Sequence, residues 1–188
     1  MTATVLVGLV AAGCTGDATP TGPTAAETRS STATPTPSAS LPAQPVFPTL
    51  PADAGAPSVQ GAAAFAMHAM RLYTYTRNTA DVSEWQALSG PECGFCGAVE
   101  EMVGVVGASG RTLRGADVEV HSTSPTEISP GSTYSVTMEV TESESIEYDG
   151  DQPVARNPST RSTLYVLLQW DQAWHVLEVD VLESETVA

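Results

Sequence analysis

The chain has 188 residues, which allows one domain of ordinary size together with a non-globular extension. Its formal net charge is −15, and all seven of its basic residues are arginines. This charge balance argues against binding to nucleic acid, which needs clustered cations, and against electrostatic attraction to anionic lipid headgroups.

The chain begins with a short apolar segment, Thr2 to Cys14, that ends in Ala11-Ala12-Gly13-Cys14. A transmembrane helix needs about 20 apolar residues, so the segment fits the hydrophobic region of a signal peptide better. Its last four residues resemble the lipobox of bacterial lipoproteins, although Ala11 stands where Leu is commoner. The resemblance implies a signal peptide at residues 1–13, removed before an acylated, palmitate-bearing Cys14 on the extracytoplasmic face of the cell membrane.

Two alternatives to this lipoprotein interpretation stay open, a plain secretory signal and a buried apolar segment. No Arg or Lys precedes the apolar run, although a signal peptide needs a positive start to fix its orientation. We interpret this as a signal peptide truncated at its start.

Residues 14–60 are dominated by Thr, Pro, Ala and Ser and have few large apolar side chains. Such a stretch cannot bury enough surface to offset chain entropy, so it is predicted to be a disordered tether. Its Thr-Pro clusters are compatible with O-linked sugar and equally with an unmodified linker. Near its end, Pro45 to Pro51 is expected to dock onto the domain; a short recognition motif is the alternative.

The domain is predicted at residues 61–188, since every aromatic residue except Phe47 lies beyond residue 60. Three helices come first, over residues 62–73, 81–88 and 91–106, each with apolar side chains at helical spacing. Asp81 is the expected cap of the second helix and Ser89 that of the third. The side chains expected to face the core are Phe65, Ala69, Leu72, Tyr73, Val82, Trp85, Leu88, Phe95, Val99, Met102, Val103 and Val106.

Four strands are predicted to follow, over residues 116–121, 134–141, 163–170 and 174–182. The first two alternate apolar and polar residues, and the third is apolar on both faces, as a central covered strand should be. Loops are expected at Ser124-Pro125 and at residues 153–158. Helices followed by an antiparallel sheet indicate an α+β fold. In the fourth strand one face is expected to carry His175, Leu177, Val179 and Val181.

The order of elements, with Trp170 and Trp174 on the last hairpin, resembles the cone-shaped nuclear transport factor two-like fold. That resemblance implies helices packed into the concave face of a curved four-stranded antiparallel sheet. Over residues 45–184 the chain also resembles an uncharacterised family of actinobacterial lipoproteins, a domain of unknown function. The residues that carry this second resemblance are Ala64-Phe65-Ala66, Trp85 to Ser89 and Cys93-Gly94-Phe95-Cys96, and it implies no activity.

Three cysteines are an odd number, which leaves one thiol to account for in an exported protein. Acylation of Cys14 accounts for it and leaves Cys93 and Cys96 to form a disulfide. A bridge across so short a loop is expected mainly to fix the start of the third helix. Redox catalysis by this C-x-x-C is an alternative, but the preceding strand of a thioredoxin-like site is missing. A zinc site is weaker still, because it needs four ligands.

No residue is assigned a catalytic, cofactor-binding or metal-binding role. Cavity enzymes of this fold use an acid or histidine base with a tyrosine that stabilises an oxyanion. His68 and His175 are interpreted as packing residues, because each lies among apolar side chains. The stretch Glu142 to Asp151 lacks the spacing of a calcium loop and is interpreted as a solvated hairpin end. The remaining candidates for such an enzyme are Asp117, Glu119, His121, Asp180, Tyr134 and Tyr165.

The leading hypothesis is a non-enzymatic, membrane-anchored envelope domain that binds a protein, a glycan or a small apolar ligand through the concavity of the sheet, without a cofactor. The alternatives are a cavity enzyme of isomerase or dehydratase type and a purely structural stalked coat protein. A hydrated pocket with convergent polar groups would favour the enzyme. A cavity filled by Phe65, Trp85, Met102 and the other tryptophans would favour binding at the surface.

Overall fold

The computed structural model describes residues 45–187, which form an α+β domain. A 3-10 turn at Ala52–Gly55 precedes three helices, α1 Val59–Thr79, α2 Ser83–Leu88 and α3 Gly94–Ala108. In the described residues the strands are β1 Arg111–Gly115, β2 Val118–Ser129, β3 Thr133–Glu142, β4 Ser145–Asp149, β5 Gln152–Asn157, β6 Thr160–Trp170 and β7 Trp174–Thr186. They form two antiparallel sheets, with the orders β2-β3-β6-β7 and β1-β4-β5. The predicted α+β class and the four-stranded antiparallel sheet are confirmed; the three-stranded sheet was not expected.

Helix α1 extends six residues past its predicted end, although the apolar repeat stops at Tyr73. Its last turns are instead held by polar side chains that bond to the connection between β1 and β2. The Thr74 hydroxyl donates to the carbonyl of Ala116 at 3.1 Å, and the Asn78 amide donates to that of Gly115 at 2.8 Å. Polar contacts of this kind leave no apolar periodicity to detect in the sequence.

The predicted start of the third helix was wrong. Helix α3 begins at Gly94, and its N-cap is Cys93, whose sulfur accepts from the backbone N–H of Cys96. Ser89 ends α2 instead: its hydroxyl donates to the carbonyl of Trp85 at 2.6 Å. The next residue, Gly90, donates its backbone N–H to Val176 in β7, so this segment is drawn to the sheet rather than into the helix.

Strand β6 lies between β3 and β7, as its apolar sequence predicted. One face of the sheet packs under the helices and is buried along its length. That face, here called the inner face, carries Tyr134, Val136, Met138, Val140, Leu164, Val166, Leu168, Trp174, Val176 and Val179. The hydrophobic core therefore lies between this face and helices α1, α2 and α3.

The predicted pairing of faces in the last strand was wrong because β7 contains a bulge. Leu167 pairs with Glu178 and Leu168 with Val176, so Leu177 is an extra residue. An extra residue reverses which side chains point inward beyond it. Val176 and Val179 therefore both face the core, whereas His175 does not share a face with Val179.

Both predicted loops were also wrong. Pro125 lies within β2, paired with Val136, and Pro153 lies within β5, paired with Tyr148. Both strands lie at sheet edges, where a residue without an N–H is tolerated. The stretch Glu142 to Asp151 does contain a hairpin turn, at Gly150 with φ +60°, but Glu142 ends β3 and Ser145–Asp149 form β4.

The folded part starts before the predicted boundary at Gly61. Ala54 is buried, and its carbonyl accepts a hydrogen bond of 2.8 Å from the indole of Trp174. Farther back, the Phe47 ring meets Tyr75 of α1 edge-on, with centroids 5.3 Å apart. The expected docking of Pro45 to Pro51 is thus made through Phe47, while Val46 stays 86% exposed.

Cys14, the predicted signal peptide and residues 15–44 of the predicted tether lie outside the described residues. Over residues 45–187 we find no helix with the length and apolar character that crossing a membrane requires.

Candidate functional site

Aromatic side chains fill the space between the inner face of the sheet and the first half of α1. The Phe65 ring stacks on Trp174 with centroids 5.8 Å apart, and Tyr134 meets the same indole edge-on at 5.2 Å. Trp170 lies 5.1 Å from Trp174 on the other strand of the hairpin. Phe65, Tyr134 and Trp174 are all buried. These rings therefore pack against one another in the core at this end of the sheet.

A second aromatic group fills the space among the three helices. The rings of Tyr73, Trp85 and Phe95 lie with centroids 5.8–6.3 Å apart. Trp85 is completely buried, and its indole N–H donates to the carbonyl of Cys96 at 3.1 Å. Met102 packs partly buried against the same core. Trp85 thus links the short α2 to the first turn of α3.

The predicted disulfide between Cys93 and Cys96 is present. It lies at the start of α3, next to the bond from Trp85, and its two residues are only 6% and 1% exposed. A redox-active disulfide needs a sulfur that a thiolate can reach. The burial therefore favours the structural role over the redox alternative.

A buried polar network joins the second half of α1 to the end of β3. One guanidinium nitrogen of Arg77 donates to the Tyr73 hydroxyl at 2.7 Å and lies 2.5 Å from Glu142 Oε1. The Tyr73 hydroxyl donates in turn to Glu142 Oε2 at 3.2 Å. The Arg77 side chain is only 7% exposed and that of Glu142 is 28% exposed, so the ion pair is buried at the guanidinium and reaches water at the carboxylate. Burial, assisted by Glu142 and opposed by Arg77, raises the pKa of Tyr73 to about 12.

Sequence reasoning missed this network. Arg77 lies beyond the predicted end of the first helix, and Glu142 was placed in a solvated acidic stretch. One signal was present: Tyr73 and Arg77 are four residues apart, the spacing at which side chains meet on a helix. Nothing in the sequence pointed to Glu142, which is 65 residues away from Arg77.

A small cavity of about 50 Å³ lies beside this network, where the end of α1 meets α3 and β1. That is room for a few water molecules and not for an organic substrate. None of its ten lining residues is a carboxylate or a histidine. The lining consists of Arg77, Asn78, Thr79, Ala80, Met102, Val103, Val106, Arg111, Thr112 and Leu113.

The acid and histidine candidates of the first predicted strand do not enter a cavity. Asp117 and Glu119 are exposed to solvent. His121 is also on the surface, where its Nε2 lies 2.8 Å from the Thr141 hydroxyl and its Nδ1 3.9 Å from Glu119. Glu119 and His121 lie on the edge strand β2 and Asp117 lies just before it, and the three side chains do not meet at a common site.

The remaining candidates are dispersed. Tyr134 is in the core, and its hydroxyl donates to Glu127 at 3.2 Å. Tyr165 and Asp180 are paired neighbours on the opposite face of the sheet, and His175 is half-buried near its end. No general base, oxyanion donor and cavity come together among them.

His68 is buried beside Phe65, with ring centroids 6.2 Å apart. Burial lowers the pKa of His68, and Arg71 lowers it further, while a hydrogen bond to the backbone of Thr49 opposes the shift. The neutral ring therefore fits the packing role inferred from its apolar neighbours. Among residues 45–187, no three His, Cys, Asp or Glu side chains are grouped as metal ligands.

Comparisons with known proteins bear on the fold rather than on chemistry. No curated protein matches the chain. The intermembrane space region of the chloroplast protein ARC6 is similar in structure, with a TM-score of 0.52 at 12% identity, over 66% of this chain and 96% of that one. A putative scytalone dehydratase from Novosphingobium aromaticivorans has a TM-score of 0.42 at 14% identity, over 69% of this chain and 91% of its own. The model of a family of unknown function, DUF6318, matches residues 33–180, and the chain belongs to that family.

Proposed function

We propose that the chain is a lipoprotein held at the extracytoplasmic face of the cell membrane by an acylated Cys14. In this proposal residues 1–13 are the signal peptide, residues 14–60 include the tether, and the folded domain is displayed above the membrane. The lipobox-like sequence Ala11 to Cys14 supports the anchor. The disulfide between Cys93 and Cys96 supports an oxidising compartment, since cytosolic proteins rarely keep such bridges.

In the same proposal the folded domain is a binding module, and its partner binds at the surface of the domain. One observation supports this: the buried side chains of Phe65, Trp85 and Trp174 pack in the core between the sheet and the helices, where a substrate cavity of this fold would lie. The partner is accordingly an envelope protein, a glycan or an apolar ligand bound outside the core, and no cofactor is required.

We infer that the domain is a cone of the nuclear transport factor two-like kind and that its relatives are actinobacterial lipoproteins. The succession of three helices, then a four-stranded antiparallel sheet that ends in a hairpin with Trp170 and Trp174, supports the first inference.

The alternative, a cavity enzyme of isomerase or dehydratase type, would need a free base at a pocket of substrate size. Glu142 is the carboxylate nearest to that role, but Arg77 and Tyr73 already occupy its two oxygens. The neighbouring cavity of about 50 Å³ has no acid or histidine in its lining. Surface binding therefore remains the better supported function.

Expression of the chain beside its Cys14→Ser variant in a host that processes bacterial lipoproteins tests the anchor. We expect the unaltered protein to partition into detergent and to carry an acyl-glyceryl mass increment on Cys14. The variant should lose both the increment and the partitioning, because two or more acyl chains supply the membrane affinity. The double substitution Cys93→Ser with Cys96→Ser is the matched control: it removes the disulfide of the domain without creating a free thiol, keeps Cys14 and should leave partitioning unchanged.

Secretion of the unaltered protein without the mass increment would contradict the anchor. Partitioning of the Cys14→Ser variant into detergent as before would contradict it too. The Cys14 thiol would then need another partner.

A further inference from the structure

The four-stranded sheet has a second face, turned away from the core, which is called the outer face below. On the central strand β6 the inner residues Leu164, Val166 and Leu168 are buried, whereas the outer residues Tyr165 and Leu167 keep part of their surface exposed. Ser135, beside Leu167 on this face, is 8% exposed, so the described residues cover the outer face in part and leave Tyr165 and Leu167 accessible. An antiparallel sheet commonly has one solvated face, and here an aromatic and an aliphatic side chain at its centre are available to a partner.

The register assigns a distinct chemistry to each strand of the outer face. Tyr165 lies between Thr137 of β3 and Asp180 of β7, and Leu167 lies between Ser135 and Glu178. Hydroxyl side chains thus occupy one side, an aromatic and an aliphatic side chain the middle, and carboxylates the other side.

Farther along the same strands the outer face deepens into a groove of about 380 Å³. Glu139, Thr163 and Glu183 form one row across it, and Arg161 lies opposite Glu185 in the next row. The groove is lined by Glu139, Arg161, Ser162, Thr163, Glu183, Ser184 and Glu185. Three carboxylates thus face a single guanidinium in the groove, and Glu178 and Asp180 extend the negative column along β7.

We propose that the outer face docks an extended basic segment of another protein, laid across β3, β6 and β7. In an extended segment every second side chain points to the sheet. Among these, lysine or arginine side chains pair with the carboxylates of β7, and apolar side chains cover Tyr165 and Leu167. Charge complementarity selects this occupant, since a neutral ligand would leave five carboxylates matched by one arginine. The inference deepens the surface-binding role proposed above and does not depend on the lipid anchor.

The probe is a fluorescein-labelled nine-residue peptide with threonine at its odd positions and lysine, lysine, valine and valine at its even positions, so that the lysines and valines lie on the same side of the extended segment. It is titrated with the full chain carrying Cys14→Ser. The outer face is altered by the double substitution Asp180→Asn and Glu183→Gln. Its control, Asp149→Asn with Asp151→Asn, makes the same charge change at the turn between β4 and β5, where both carboxylates are exposed. A third variant, Tyr165→Ser, alters the apolar centre without changing charge. Circular dichroism verifies that every variant is folded.

We expect the outer-face pair to weaken peptide binding by about tenfold or more and Tyr165→Ser by several fold, with the control within about twofold. Binding should also weaken as salt is raised. An equal loss in the control pair would overturn the inference, because any polycation is attracted to a chain of net charge −15. Binding of a neutral oligosaccharide such as chitotriose at the outer face, without the peptide, would overturn it in favour of a glycan.

The lipid anchor and the docking of a basic segment are tested by independent experiments, so either proposal can fail without the other. Peptide binding is measured on a chain that cannot be acylated, so a missing anchor leaves this result unchanged. An acylated chain that shows no face-specific binding would remove only the docking inference.

Discussion

At the scale of single residues, Tyr73 has the most perturbed environment of the buried network. Its pKa is raised to about 12 from the ordinary 10.0, chiefly by burial. As the pH rises, the phenol is deprotonated in the unfolded chain before it is deprotonated in the folded one. The free energy of unfolding therefore decreases above pH 10. It should be steady below pH 10 and fall by about 2–3 kcal/mol between pH 10 and 12.

Urea denaturation followed by circular dichroism at pH 9 and at pH 11.5 measures this loss. Tyr73→Phe has no phenol to ionise at this position, so it should reduce the difference between the two pH values. It also leaves Arg77 and Glu142 paired and the aromatic cluster intact. Tyr134, whose pKa burial also raises, keeps its own contribution. The same loss of stability in Tyr73→Phe would show that other groups govern the alkaline limb.

At the scale of elements, the segment before α1 is fixed to the helix by a close approach at Gly61. A methyl group at this position would collide with the carbonyl oxygen of Ala56. We expect Gly61→Ala to destabilise the domain by about 2 kcal/mol, because the segment holding Ala54 under Trp174 must move. The midpoint and slope of urea denaturation measure the effect.

Gly104→Ala is the matched control, since Gly104 also lies inside a helix but has nothing within 4 Å of an added methyl group. The gain in helix propensity alone should stabilise the domain by about 0.5–1 kcal/mol. If both substitutions stabilised the protein equally, the close approach of residues 52–56 to α1 would be wrong.

At the scale of the whole molecule, the predicted tether contains a single basic residue, Arg29, and the next along the chain is Arg71 in α1. A disordered tether is open to proteases, whereas regular structure is protected. Brief trypsin digestion of the full chain should therefore cut first after Arg29, as intact-mass measurement would show. A first cut after Arg156, in the exposed strand β5, would contradict this order.

The parts of the fold that follow from the sequence are those with a clear hydrophobic period. Val136, Met138 and Val140 in β3 face the core, as their alternation with polar residues predicted. Strand β5 could not be found this way, because all its residues are exposed and nothing alternates. The reversal of faces at Leu177 was equally hidden, since a bulge depends on pairing with β6 and not on local pattern.

The buried network could be foreseen only in part. The spacing of Tyr73 and Arg77 is visible in the sequence, but Glu142 reaches them only because β3 ends beside α1. The outer face could also be foreseen only in part. The sequence of β6 shows apolar residues on both of its faces, but the alignment of Tyr165 with Asp180 and of Leu167 with Glu178 depends on the register of β7.

The sequence by itself determined the α+β class, the four-stranded sheet, the aromatic core and the pairing of Cys93 with Cys96. Each of these follows from local periodicity or from counting, which act over short stretches of chain. Only the tertiary structure decided that the tryptophans of the hairpin and of α2 pack in the core, that Arg77 meets Glu142, and that carboxylates line one side of the outer face. Those features join residues far apart in the chain, and their energies depend on packing, burial and register, which come into being only when the chain folds.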